Sequence, residues 1–172
     1  MNNNDSKQIL LDLLVLAEEQ YGERAHEVEF SVQERRGGPI AVEFHNESLT
    51  EATVHIEADI DDNQRRFQLA LEGFHLLSPV PRHEVTFFEE GLSQIFAFRE
   101  TVGLLPSGDP HYRKARDLCE GLENICGNDI IRRLRERQPY ISRVEPADVI
   151  ALCPCFPAED AESLCERWPY YQ

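Results

Sequence analysis

Positive charge is scarce in this chain, where 17 Lys and Arg face 32 Asp and Glu for a formal net charge of −15. Such a surface repels phosphate backbones instead of displacing their counterions, which excludes a nucleic-acid or anionic-membrane partner and favours a protein or peptide with a basic surface. No apolar run approaches the ~20 residues of a membrane-spanning helix, so none is expected. The opening MNNNDSKQ lacks the basic region and cleavage site of a signal peptide, and unless a leader has been removed the expected location is cytoplasmic. Cysteine is limited to five residues between 119 and 165, an odd number without paired C-x-x-C spacing. That pattern fits reduced thiols buried as small hydrophobes better than a disulfide framework or a thiolate zinc site. Glycine-rich phosphate loops are missing, because Gly37-Gly38 is a two-residue turn with no helix N-terminus behind it. Nor does any Ser-His-Asp or Cys-His set stand at a nucleophile's spacing, and there is no internal repeat or low-complexity tract.

What remains is ordinary globular composition, 41% hydrophobic and 28% charged over 172 residues, enough for one compact domain with a real core. The charge is uneven. Residues 1–110 carry 8 basic against 21 acidic side chains, residues 111–143 carry 8 against 5, and residues 144–172 carry 1 against 6. The basic middle segment reads as a solvated helical face. Ile9, Leu10, Leu13, Leu14, Ala17 and Tyr21 predict a helix over 7–21, capped by Ser6 and stopped by Gly22. Three runs then alternate with period two: Val28, Phe30, Val32; Ile40, Val42, Phe44; and Val54, Ile56, Ala58, Ile60. With turn chemistry at 37–39 and 46–48 between them, the economical expectation is a three-stranded antiparallel meander, each strand with one wet face.

The stretch 67–105 is the centre of the chain. Asp61, Asp62 and Asn63 are candidate caps for a helix carrying Phe67, Ala70, Leu71, Phe74 and Leu77 on one stripe. Beyond the Pro79 and Pro81 turn, Val85, Phe88, Leu92, Ile95, Phe96 and Val102 predict a second helix ending near Gly103 and Pro106, although 85–88 also suits a strand. Helices are expected from Asp109-Pro110 to Gly127, over 129–137, over 146–152 and over 158–167, followed by the aromatic tail Trp168-Pro169-Tyr170-Tyr171. The fold class is therefore α+β: an N-terminal helix, a small antiparallel sheet of about three strands, two core helices and a C-terminal helical cluster. Residues 1–108 form the core unit and 109–172 a helical subdomain packed on it.

Within that stretch, Leu71-Glu72-Gly73-Phe74-His75 keeps the last four positions of H-E-x-x-H, with Leu in the first. In that pattern two histidines four apart share a helix face and hold one zinc ion, while the Glu serves as general base on the bound water. Fifteen residues after His75 comes Glu90, in FFEEGLSQIF. Together these segments resemble a minimal gluzincin-type zinc metallopeptidase domain, whose elements are H-E-x-x-H on one helix and a Glu-Gly-Leu-Ala-like motif on the next. The resemblance implies Glu72 as general base, His75 and Glu90 as zinc ligands with Glu89 as an alternative register, and strand 53–60, with His55 and Glu57, as the edge of the substrate cleft. Leu71 supplies no lone pair, and His55, His83 and Glu84 are the nearest substitutes in sequence. The leading expectation is a zincin-like pseudoenzyme with no cofactor, its cleft kept for binding or regulating a protein. A divergent active metallopeptidase that still holds zinc stands beside it, as does an acidic inhibitor- or immunity-type interaction module. Without the resemblance, Leu71 and Phe74 are core, His75 is satisfied by a neighbour, and Glu89-Glu90 favour the positive end of a helix.

Overall fold

The computed structural model describes residues 3–38, 40–104 and 108–171, and the expected turn proline Pro39 and helix stop Pro106 lie outside them. The fold is α+β, with seven α-helices and one three-stranded sheet among those residues. Helix α1 (Asn3–Tyr21) buries Leu10, Leu13, Leu14, Ala17 and Tyr21 against the sheet's inner face, where Val28, Phe30, Val32, Val54 and Ile56 share one core. Ser6 does not cap this helix, which begins earlier; it is buried within it and donates to Glu34 Oε1 at 3.0 Å.

The sheet departs from the expected meander. Strands β1 (Glu29–Arg35), β2 (Ala41–Phe44) and β3 (Glu51–Glu57) lie in the order β1-β3-β2, with β1 parallel and β2 antiparallel to β3. The hairpin between β2 and β3 is where turn chemistry placed it: Leu49 N–H bonds Asn46 O, and Leu49 takes the left-handed φ of 56°. After β1, however, the chain passes to the far side of β3. Period-two alternation states which face of a strand is buried and says nothing about which strand lies beside it. β3 takes the centre, where Val54 and Ile56 are 0% and 2% exposed and both edges find partners.

Asp61 caps α2 (Asp62–Gly73), accepting from Gln64 N–H at 2.8 Å. The helix then tightens into a 3-10 turn over Phe74–Leu76, where a continuous α-helix was expected. Val85–Phe87 meets the tail in a short antiparallel bridge: Trp168 N–H bonds Val85 O at 2.8 Å and Phe87 N–H bonds Glu166 O at 3.0 Å. Helix α3 (Phe87–Arg99) follows and is buried almost all round. Its outer side meets α4 (Pro110–Cys126), and α5 (Ile130–Arg137), α6 (Pro146–Leu152) and α7 (Ala158–Cys165) complete the cluster. Trp168, 1% exposed, closes it against Phe87 and Tyr112. The thiols also depart from expectation, since Cys126 at the end of α4 and Cys153 after α6 form a disulfide with Cα atoms 5.7 Å apart. Spacing misses the pair because 27 residues and two helix junctions separate the partners.

Gly91, the glycine of the Glu-Gly-Leu motif, has a packing reason of its own. A Cβ there would stand 2.3 Å from Ala115 O and 2.5 Å from Cys119 Sγ, so α3 and α4 approach this closely only without a side chain. Gly91→Ala is therefore expected to destabilise the chain by about 3 kcal/mol, read from urea denaturation with an unchanged slope. Gly121, also in α4, has nothing within 4 Å of a built Cβ. Gly121→Ala should be neutral or stabilising by up to about 1 kcal/mol, and an equal loss at both sites would reject the close-packing explanation.

Candidate functional site

The end of α2, the 3-10 turn after it and the first turn of α3 meet beside β2, which forms an edge of the sheet among the described residues. Glu72 stands in the last turn of α2, His75 in the 3-10 turn, and Glu89 and Glu90 in the first turn of α3, each 8% exposed or less. Carboxylates at Glu89 and Glu90 sit at the positive end of a helix, which offsets part of the cost of burying them. His75 holds the group together, with Nδ1 at 2.6 Å from Glu89 Oε1 and Nε2 at 3.7 Å from Glu90 Oε1. The other oxygen of Glu89 accepts from Ser142 Oγ at 2.5 Å, and Ser142 in turn accepts from the backbone N–H of Thr86 at 3.0 Å. Glu72 and Val42 of β2 line the same cavity, and the Val42 backbone N–H lowers the Glu72 pKa.

Three buried carboxylates around one imidazole set the local electrostatics. Burial opposes a charge on His75, but the Glu89 hydrogen bond and the charges of Glu89, Glu90 and Glu72 outweigh it and raise its pKa to about 10. Burial is also the largest influence on both remaining acids: it holds Glu72 above the usual carboxylate range and pushes Glu90 up to about 7, the His75 charge opposing in each case. Tyr171 also lines the cavity, and burial followed by the Glu90 and Glu72 charges raises its pKa. The cavity, about 30 Å³, is lined by Glu72, His75, Glu89, Val42, Arg82 and Tyr171 among others. That is room for about one water and too little for a peptide side chain. The Arg82 guanidinium stacks on the Tyr171 ring at 4.3 Å across it.

Glu72, His75 and Glu90, predicted as one site, thus lie together, and Glu89 makes the shorter contact with His75. Leu71 is half-buried, packs against the core and does not line the cavity. The strand expected as the edge, 53–60, is the central one instead, and β2 supplies the edge because β3 is paired on both sides. His55 is accordingly buried on the sheet with Nε2 2.9 Å from Glu43, and Glu57 is exposed; neither lines the cavity. His83 and Glu84 also lie outside it, Glu84 pairing with Arg143. Ser142, Arg82 and Tyr171 were not legible in advance, since no short-range spacing links a turn near 142 or an aromatic tail to residue 75. Comparisons with protein-family models, curated proteins and solved structures returned no match for this chain.

As a zinc site the residues do not fit. His75 Nε2 and Glu90 Oε1 make one ligand pair, and Nδ1 is turned to Glu89 as a metal-bound histidine's outer nitrogen would be. A third ligand is lacking: among the described residues, the group of His, Cys, Asp or Glu whose ligand atoms lie within 4.8 Å of one another is Cys126, Cys153 and Cys155. The arrangement is instead a closed acid–imidazole cluster.

That cluster makes stability depend on pH in a stated direction. A folded pKa of about 10 against an ordinary 6.5 means the His75 contribution is whole below about pH 6.5 and is lost as pH rises through about 10. Denaturation midpoints are expected to fall between pH 7 and pH 10, and Glu89→Gln, which removes the largest upward influence on His75, should flatten that fall. An unchanged slope in Glu89→Gln would show that His75 is not the titrating group.

Proposed function

We propose that this chain is a metallopeptidase-like protein whose cleft has lost its metal frame and serves to bind an extended segment of a basic protein. The observation that carries this reading is the meeting of Glu72, His75 and Glu90 beside β2; Leu71, in the place of the first ligand, packs against the core and does not line the cavity, which counts against a ligand frame at that position. An active metallopeptidase needs three ligands and an open position for water. Here two ligand-type groups face one another, and both nitrogens of His75 are turned toward carboxylates. Among the described residues no strand pairs with the outer edge of β2, and an added strand would lie along Val42 and Phe44, which border the cavity. Three carboxylates behind that edge favour a Lys or Arg on the incoming segment, which must displace Tyr171 to reach them.

The uneven charge of the chain favours a second reading, an acidic interaction module in which the near-motif is incidental. Twenty-one acidic against eight basic residues in 1–110 would then act as a surface and not through the cavity.

Zinc analysis and peptide binding separate these readings. After incubation with zinc and dialysis, well under about 0.1 equivalent should remain, while close to one per chain would overturn the non-metal reading. A fluorescent extended peptide of alternating Ala and Lys should bind in an anisotropy titration and bind more tightly to Tyr171→Ala. It should lose affinity about tenfold or more on Phe44→Asp, which places a carboxylate in the apolar border of the cleft. Affinity unchanged by both substitutions would leave the acidic module.

A further inference from the structure

The three cysteines at the far side of the helical cluster form a site that the cleft does not use. Cys126 and Cys153 are bonded, and Cys155 Sγ lies 3.6 Å from Cys153 Sγ. Accessibility differs sharply along the three: Cys153 is 3% exposed, Cys126 is half-buried and Cys155 is exposed. Their spacing is held by local structure. Cys153 N–H bonds Val149 O at 2.8 Å, Phe156 N–H bonds Cys153 O at 3.1 Å, and the buried Phe156 ring anchors the turn in which Pro154 separates the two thiols. The other two cysteines are inert by contrast, with Cys119 buried in the core and Cys165 pushed up to about 12 by burial.

We propose that Cys155 is the entry thiol of a three-cysteine exchange site, through which low-molecular-weight disulfides and thiols in solution make and break the Cys126–Cys153 bond. Starting from the reduced chain, the Cys155 thiolate attacks one sulfur of an external disulfide, forming a mixed disulfide and releasing the first external thiolate. Cys153 then attacks Cys155 Sγ, forming the Cys153–Cys155 bond and releasing the second. Cys126 attacks Cys153 Sγ last, forming the observed bond and returning Cys155 as a thiolate. The external disulfide is reduced to two thiols, the protein loses two hydrogens to one S–S bond, and each attacking thiol's proton passes to a departing thiolate. The reverse sequence reduces the chain. Proximity drives it, because Cys155 is the exposed sulfur beside a buried one that solvent reagents do not reach directly.

The test uses the full chain, reduced and freed of reductant, with oxidised glutathione as probe, acid quench, alkylation and mass mapping of each cysteine. Cys155→Ser should slow formation of the Cys126–Cys153 bond at least about tenfold while the final bond and the melting midpoint stay unchanged. In Cys153→Ser the glutathione adduct should collect on Cys155. Equal rates in wild type and Cys155→Ser, or an adduct on Cys126 with none on Cys155, would overturn the proposal. So would three thiols held unreactive by a bound metal until a chelator is added. Should Cys155→Ser fail to fold, the wild-type time course decides: a Cys155 adduct must precede the bond, and a bond that forms without one rejects the relay.

Discussion

One guanidinium holds together the parts on which the rest depends. Arg135, 4% exposed on α5, donates to the carbonyls of Tyr21, Gly22, Glu23, Leu77 and Pro139 at 2.6 to 3.3 Å. Three of those acceptors lie at and just past the end of α1, where helix carbonyls have no internal partner, and Leu77 follows directly on the turn that carries His75. A single planar donor fork thus satisfies the frayed end of the first helix and fixes where the site turn leaves the core. Burial lowers its pKa to about 10, so it remains charged at neutral pH, and its charge complements the negative end of α1.

With that turn fixed, the site follows from the need to compensate buried charge. Glu72, Glu89 and Glu90 are each 6% exposed or less, and isolated carboxylates at that depth would carry a large desolvation cost. His75 offsets part of it from the middle, Ser142 supplies a further donor to Glu89, and Tyr171 closes the cavity from the tail. Among the described residues, Glu90 Oε1 finds no hydrogen-bond donor. The cluster is therefore polarised around His75 and open to competition at Glu90, which is why the proposed binding segment is one that brings a cation.

Most of the fold was legible from periodicity and caps. The apolar stripe of α1, the Asp61 cap, the 46–48 turn, the helix opening at Asp109-Pro110 and the closing Gly127 all appear where local chemistry places them. The dual aptitude of 85–88 also has a physical origin, since Val85–Phe87 bridges to the tail before α3 begins. Strand order was not legible, because alternation defines faces and not neighbours. The disulfide was hidden for a related reason: its partners meet only after α4 and α6 have packed.

The sequence by itself determined the α+β class, the acidic character of the surface and the placement of Glu72, His75 and the Glu89-Glu90 pair on successive helical segments, all of which depend on nearby residues. Only the tertiary structure decided that β2 forms the edge above the site, that Glu89 is the tighter partner of His75, and that Ser142, Arg82 and Tyr171 complete the cavity. Those outcomes rest on contacts between segments up to about a hundred residues apart, and they are selected by packing and by the cost of unpaired buried charge, neither of which leaves a periodic trace in the chain.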